Sequence, residues 1–433
     1  MPTSLPFLTA YDPPGTSEGT LDPLGLYQIA DQLAVQLVPA VRERMQRARF
    51  LTAMTVGALI IEGMDSDPRQ RDSAPYLVWE WHVIEALLRN KGDDDVLWGV
   101  PGSQMARRAI SQHGYLDARS YLKTPRIFGF HGVYKRLAIH LGLVDVHLGP
   151  GPNAELLVDA WARDQGLGGL AGTKRLFREW ADAVERALKD TPPRTRPRWN
   201  SEGWAQLAAA FSPDEIKTHE KNHIRKMLIG ERDRKLGALP ELWGLMDPYV
   251  EQKDLPEEEL HRKLEKKQPA YGSLIEAIRT YETFARSLTD AFEILRAEAS
   301  RQDVQGFAVT GIATDADFRG CVNNIHQKHA AAYRALAEVT SASMSLQNHF
   351  GERFADFGEP LSPAECGLAL CALHEAVQRA KSETGKRPWF DRMGNDRIYV
   401  RQAYRSRRPE VQPGRYVHPY RGWPIHRFYI DVS

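Results

Sequence analysis

Apolar residues recur along most of the chain at spacings of three and four, the period of helices buried on one face. Leu26, Ile29 and Leu33 begin the first such stripe, and Pro39 ends it. Residues 41–61 begin basic and become apolar, which predicts a helix that enters the core. This pattern predicts a mainly α fold built as a multi-helix bundle.

Two longer stripes follow a heptad-like period, one from Tyr271 to Leu295 and one from Val322 to Phe350. They predict two long helices that pack antiparallel inside the chain, which we prefer to an intermolecular coiled coil. Two capping boxes with Pro at the first helical position, at 212–215 (SPDE) and 362–365 (SPAE), predict helix starts.

The region from about 120 to 165 is a candidate winged helix. Gly129 and Gly132 precede a short helix whose inner stripe leaves Lys135 and Arg136 pointing elsewhere. The following sequence LVDVHLGPGP suggests a strand and a turn, as in a β-wing. The competing interpretation is two ordinary helices joined by a loop.

Composition shifts divide the chain into three predicted domains. Residues 1–190 form an N-terminal helical domain with the winged-helix element, and a Pro- and Arg-rich linker follows. Residues 204–350 form a central bundle with the two long helices, and 351–433 form a C-terminal helix and a basic, aromatic tail. Because RIYVRQAY (397–404) alternates like an edge strand, the tail is expected to contain a little β structure.

The charge is polarised, although the 433-residue chain has a formal net charge of only +1. Residues 381–433 hold twelve Lys or Arg, five Asp or Glu and nine aromatic residues. Cations neutralise phosphates and aromatic rings stack on bases, so the tail is a candidate nucleic-acid surface. The alternative is a tail docked on the body, and so many aromatics lead us to expect that part of it folds back.

A second basic stretch precedes the apolar helix at 50–61, where Arg42 and Arg49 share a helix face. The candidate nucleic-acid-binding residues are Arg42, Arg49, Lys135, Arg136, Lys386, Arg387, Arg392, Arg397, Arg401, Arg405, Arg407 and Arg408.

The sequence His219-Glu220-Lys221-Asn222-His223 matches the zinc hydrolase motif HExxH, in which two imidazoles bind the metal and the Glu is the general base. The charged residues around it are unlike the apolar helix that such a site needs. We therefore assign no catalytic residue and expect no cofactor. His219 and His223 as zinc ligands are kept as an alternative.

Three cysteines, Cys321, Cys366 and Cys371, form no disulfide framework, which suggests a reducing compartment. On one helix, Cys321 and His326 would lie about 140° apart and could not share a metal. There is no signal peptide pattern, and the longest apolar run, 50–61, is too short to span a bilayer. We expect a cytoplasmic protein with no membrane partner.

Three stretches together, 22–54, 128–145 and 374–390, resemble large, mostly helical, uncharacterised proteins encoded in bacterial antiviral defence islands. The resemblance implies defence against phage or foreign DNA beside nuclease, helicase or methyltransferase partners. It implies no catalytic residues. The expected function is a non-enzymatic defence subunit that binds DNA or a partner protein through basic surfaces. The alternatives are a zinc-dependent hydrolase and a helical scaffold for assembly, with self-association as one form of it.

Overall fold

The structure is a computed structural model. It describes residues 22–64, 73–90, 97–122, 125–195, 201–214, 216–230, 236–302, 305–339, 345–381, 386–394, 396–412 and 414–433.

The fold is mainly α, as predicted. The helices up to residue 255 are α1 Tyr27–Leu37, α2 Arg49–Ile60, α3 Pro75–Asn90, α4 Ser103–His113, α5 Pro125–Phe128, α6 Phe130–His140, α7 Ala154–Asp164, α8 Lys174–Leu188, α9 Ser201–Ala210, α10 Thr218–Ile229 and α11 Leu239–Trp243. The later helices are α12 Glu257–Lys267, α13 Gly272–Ser300, α14 Ala316–Val322, α15 Ile325–Ala337, α16 Leu346–Arg353, α17 Pro363–Ala380 and α18 Gly422–Val432.

The chain forms two compact units. Unit 1 comprises 1–36 and 256–419, and unit 2 comprises 37–255 and 420–433. This division differs from the three predicted domains, because the chain leaves unit 2 at 255 and returns to it at 420. Composition along a chain cannot reveal such a return, since it depends on which distant segments pack together.

Unit 2 is built around α2, which is buried on almost every face as its apolar sequence predicts. Gly57 permits α3 to approach closely, because a Cβ there would lie 2.3 Å from the Trp79 ring. Trp161 stacks on Phe211 with ring centroids 5.7 Å apart, and Trp180 packs against both. Among the described residues, no helix has both the length and the apolar character needed to cross a bilayer.

Unit 1 is built around α13, which confirms the first heptad stripe as one uninterrupted helix. It packs against α14, α15 and α17. The second predicted long helix is wrong: α14 ends at Val322, and Asn324 takes a left-handed conformation (φ 54°) before α15 begins. Asn tolerates that conformation better than most residues do. Residues 340–344 lie outside the described part, and α16 then begins at a Ser345 cap.

The two predicted capping boxes have different outcomes. Ser362 and Glu365 form a reciprocal box at the start of α17, as predicted. The other predicted start is displaced, since α10 begins only at Thr218 and Glu215 lies outside the described residues. The Asp164 carboxylate from α7 caps α10 by accepting from the backbone N–H of Glu220 at 2.8 Å.

The predicted β-wing is reduced to one isolated antiparallel bridge between Val144 and Pro150. The Asp145 carboxylate accepts hydrogen bonds from the N–H groups of His147 and Gly149, both at 2.8 Å, and folds the segment into a tight turn. In the described residues of 120–165, α6 and α7 are therefore two helices joined by a turn, which was the competing interpretation.

The tail contains the small amount of β structure that was expected. Strands β1 (Phe307–Ala308), β2 (Phe390–Met393) and β3 (Arg397–Val400) form an antiparallel sheet in the order β1-β3-β2. The strand predicted to lie at an edge is therefore the middle one. Its alternation reflects Ile398 and Val400, which face the core.

Candidate nucleic-acid interface

The C-terminal tail is docked, and hydrogen bonds fix its start. His374 of α17 is fully buried, with Nδ1 2.9 Å from the carbonyl oxygen of Pro23 and Nε2 accepting from the Trp389 N–H at 2.9 Å. Trp389 also stacks on Tyr404, with centroids 5.1 Å apart. The expectation that part of the tail folds back is confirmed.

Most tail arginines have partners inside the fold. Arg408 binds three carboxylates, at 2.8 Å to Glu298 and 2.6 Å to both Asp315 and Asp317. These hydrogen bonds hold the pKa of Asp315 below its ordinary value. Such a guanidinium is a structural cross-link, because three carboxylates already neutralise its charge.

The other tail candidates fall into two groups. Arg392 pairs with Glu375 at 2.5 Å, Arg401 pairs with Asp391 at 3.5 Å, Arg397 donates to the carbonyls of Gln305 and Gly306, and Arg405 lies over the Tyr399 ring. Arg387 and Arg407 are exposed, and Lys386 is half-buried. Contacts within the fold hold the first group, so the tail presents less positive charge than its composition suggests.

Arg49 does not belong to the nucleic-acid interface that the sequence predicted. Its side chain is fully buried, and its NH1 donates to Glu220 Oε2 at 2.6 Å. It cannot reach a phosphate, because the helix that carries it lies in the core of unit 2. Arg42, which was expected on the same helix face, lies before α2 and is half-buried.

The HExxH match lies on α10, but its three residues do not converge. Glu220 points into the core, where it accepts from Arg49 and from Thr52 Oγ1 at 2.5 Å, and burial raises its pKa. His219 is exposed, and its Nδ1 lies 2.8 Å from Asp164 Oδ1. His223 is half-buried, and burial lowers its pKa. A glutamate held in a buried ion pair cannot serve as general base for a metal bound between the two histidines.

The cysteines and their neighbouring histidines offer no such site either. Burial raises the pKa of Cys321 and Cys366 to about 11 and that of Cys371 to about 12, so they are protonated thiols. Cys321 lies on α14 and His326 on α15, so the single helix assumed for them is wrong. In the part of the chain that the structure describes, no three His, Cys, Asp or Glu side chains are grouped to hold a metal ion.

A different stretch keeps its positive charge at the surface. Residues 103–140, here called the basic segment, contain seven Lys or Arg and one acidic residue, Asp117. Sequence analysis named only Lys135 and Arg136 from it. A charge count in a sliding window detects the segment, although the net positive charge of the tail is larger.

The fold of unit 2 organises the basic segment around the buried carboxylate of Glu80 on α3. Glu80 accepts from the Tyr121 hydroxyl at 3.0 Å and from the His131 N–H at 2.9 Å, so it also caps the first turn of α6. Gly129 permits this approach, because a Cβ there would lie 1.9 Å from Glu80 Oε1. Tyr121 in turn contacts Gly102, which directly precedes α4. Glu80 therefore fixes the start of α6 directly, and Tyr121 links it to the residue before α4.

The acidic residue of the segment is turned inward. Asp117 is buried, and its Oδ1 accepts from the backbone N–H groups of Arg119 and Ser120 at 3.0 and 2.7 Å. On α6 the predicted inner stripe of Val133 and Leu137 is buried. The one carboxylate in the segment is therefore used within a turn and does not neutralise the cations outside.

The cations face outward. Arg108, Arg119, Arg126 and Arg136 are exposed, while Arg107 and Lys135 are half-buried. The guanidinium of Arg44, also exposed, lies 4.3 Å from the centre of the Phe128 ring at α5 and adds a further charge. Within the described residues, no carboxylate forms an ion pair with Arg108, Arg119 or Arg136. This surface is therefore free to attract a polyanion.

Comparison of the chain with protein-family models, curated proteins and solved structures gave no match.

Proposed function

We propose that unit 2 binds DNA through the basic segment, and that the protein acts as a non-enzymatic subunit of a prokaryotic defence system. The observation that carries the DNA proposal is the contrast within 103–140, where seven basic residues accompany one inward-turned acid. Arg108, Arg119 and Arg136, which form no ion pair among the described residues, can release counterions from DNA when they contact its phosphates, and this release drives binding.

The segment favours contact with the backbone of duplex DNA over stacking on single-stranded bases. Its aromatic residues Tyr121, Phe130 and Tyr134 are buried, and Tyr115 and Phe128 are half-buried. Single-strand binders need exposed rings on which bases stack. Arginines on helices instead suit phosphates at fixed spacing, which gives positioning with little sequence preference.

The defence context has a separate basis. It rests on the resemblance of the stretches 22–54, 128–145 and 374–390 to defence-island proteins, and the third of these contributes His374 and Trp389 to tail docking. Binding of a partner protein through the same cations is the competing outcome of the experiment below.

The test is fluorescence anisotropy with a labelled duplex of about 20 base pairs and arbitrary sequence, between about 50 and 200 mM salt. We expect micromolar binding to duplex that weakens linearly with the logarithm of salt concentration and exceeds binding to the matching single strand. Arg108→Glu with Arg136→Glu should abolish duplex binding at about 150 mM salt, where the Debye length is about 8 Å.

The matched control reverses two exposed tail residues, Arg387→Glu with Arg407→Glu, and changes net charge equally. If both double variants weaken binding to the same extent, general charge and not the basic segment is responsible. If the wild type does not bind duplex at low salt, the DNA proposal fails and the segment would remain a candidate protein-binding surface.

A further inference from the structure

An open cavity of about 800 Å³ lies within unit 1, and none of the residues used above for DNA binding lines it. Its walls come from α12, α13, α14, the start of α15 and the tail residues Val411, Gly414, Arg415 and Tyr416. Ligand sites for metabolites and drug-sized molecules occupy about 300–1,000 Å³. The cavity is therefore large enough for an organic molecule and much larger than a single ion needs.

Lys328 supplies an ammonium group to this cavity. Its Nζ donates to Ser287 Oγ at 2.7 Å and to the Cys321 carbonyl at 3.2 Å. The described residues place no carboxylate within ion-pairing distance of Nζ. Burial lowers the pKa of Lys328, as expected for a cation whose charge is not compensated. Because an ammonium carries three N–H donors, one remains for a ligand.

Several other charged groups of the cavity are engaged in contacts within the fold. Arg286 pairs with Asp290 at 3.2 Å and also donates to the carbonyls of Arg415 and Tyr416. Glu282 accepts from His418 Nδ1 at 2.7 Å. These contacts use the carboxylates and guanidinium for holding the tail on α13. Arg262 also lines the cavity but is exposed to solvent, whereas Lys328 is a half-buried cation to which the described contacts give no carboxylate.

The rest of the wall suits an organic body. Ile275, Ala316 and Val411 contribute apolar surface, and the Tyr416 ring packs on His261 with centroids 5.5 Å apart. Burial lowers the pKa of His261 to about 4, so this imidazole is neutral at physiological pH and adds no second cation.

We propose that this cavity binds a small organic oxyanion, a carboxylate or phosphate monoester with a flat or apolar body, whose charged group contacts Lys328. The proposal does not rest on DNA binding, because it concerns a different unit and different residues. Carboxylate and phosphate share the recognising chemistry, a charge-assisted hydrogen bond from an ammonium.

Isothermal titration calorimetry with two charged probes distinguishes a phosphate monoester from a carboxylate as the ligand. Adenosine monophosphate tests the phosphate ester, with adenosine as its uncharged counterpart, and benzoate tests the carboxylate, with benzamide as its counterpart. We expect saturable binding of at least one charged probe with a Kd below about 1 mM, and at least about tenfold weaker binding of its counterpart. No saturable binding of either charged probe, or equal binding of its counterpart, would overturn the proposal.

Two variants locate the binding. Lys328→Met removes the charge but keeps a side chain of similar length, and it should weaken binding of the charged probe at least about tenfold. Gly320→Leu fills the cavity from α14, where a Cβ meets no atom within 4 Å, and should also weaken it. The controls are Lys266→Met on the exposed side of α12 and Gly311→Leu, whose Cβ also has open space.

If Lys328→Met does not fold, Gly320→Leu decides the question alone. Wild-type affinity in Gly320→Leu, or in a folded Lys328→Met, would place the probe elsewhere and contradict the assignment.

Discussion

The basic segment and the C-terminal tail both carry excess positive charge, yet the structure uses that charge differently. The tail has twelve basic residues against five acidic ones, and the segment has seven against one. In the tail, Arg392 and Arg408 meet carboxylates of α13, α14 and α17 or their flanking turns. In the segment, the exposed arginines Arg108, Arg119 and Arg136 meet none among the described residues.

A count of charges along a sequence gives the number of cations in a region. Attraction of a polyanion depends on which of those cations remain without a carboxylate partner in the fold. A guanidinium bound to fixed carboxylates loses most of its attraction for phosphate and stabilises the fold instead. An exposed guanidinium contributes little to stability and remains available to a ligand. We therefore expect removal of a paired tail arginine to lower the free energy of unfolding. Removal of an exposed arginine in the basic segment should instead weaken DNA binding.

Arg49→Met should have the largest effect, since it removes the cation of a fully buried pair and leaves the Glu220 carboxylate uncompensated. We expect the free energy of unfolding to fall by about 3–5 kcal/mol, measured by urea denaturation. Adding Glu220→Leu should restore most of that loss, because an apolar pair avoids the desolvation cost. A loss below about 1 kcal/mol would contradict the structural role of Arg49.

Acidification should weaken the docking of the tail through His374. Burial lowers its pKa to about 4 from an ordinary 6.5, so between these values the unfolded chain binds more protons than the native one. The stabilisation is complete above pH 6.5 and is lost as the pH falls toward 4. From pH 7 to pH 5 this one group should cost about 2 kcal/mol.

Urea denaturation of the wild type and His374→Gln at both pH values isolates that contribution. Gln can keep the two hydrogen bonds without titrating, so its stability should fall less by about 2 kcal/mol. Other buried histidines, His82 and His261, have pKa values lowered to about 4 and act in the same direction in both proteins. Equal losses in wild type and variant would show that His374 does not titrate as described.

Arg408→Met should lower the free energy of unfolding by about 1–2 kcal/mol, because the partly exposed pairs with Glu298 and Asp315 are lost. The matched control is Arg407→Met at the exposed neighbouring position, which should change stability by less than about 0.5 kcal/mol. Duplex binding by anisotropy should be unchanged in both. Weaker DNA binding in Arg408→Met would remove the distinction between the two regions.

Arg136→Ser in the basic segment should have the smallest effect on stability, less than about 0.5 kcal/mol in urea denaturation. Its effect should appear in binding, where loss of one phosphate contact reduces the salt slope by about 1. Arg175→Ser is the control, an exposed arginine of unit 2 that pairs with Glu179 outside the segment. A slope unchanged by Arg136→Ser but reduced by Arg175→Ser would move the interface to another face.

The sequence by itself determined those helices and helix starts whose signals lie among neighbouring residues. The apolar run of α2, the heptad stripe of α13 and the capping box at Ser362 each became the predicted helix or helix start. The density of aromatic residues in the tail also predicted that part of it docks, because so much apolar ring surface is unfavourable in water.

Tertiary structure decided which charges are compensated and where each helix is capped. Arg408 and Asp315 lie 93 positions apart in sequence but 2.6 Å apart in the fold. Asp164 caps α10 from 56 positions away, and Glu80 on α3 binds Tyr121 and His131 in the middle of the basic segment. Electrostatic interaction depends on distance in space and on burial, neither of which a charge count contains. For that reason the candidate DNA-binding surface is the basic segment and not the tail, which composition had indicated.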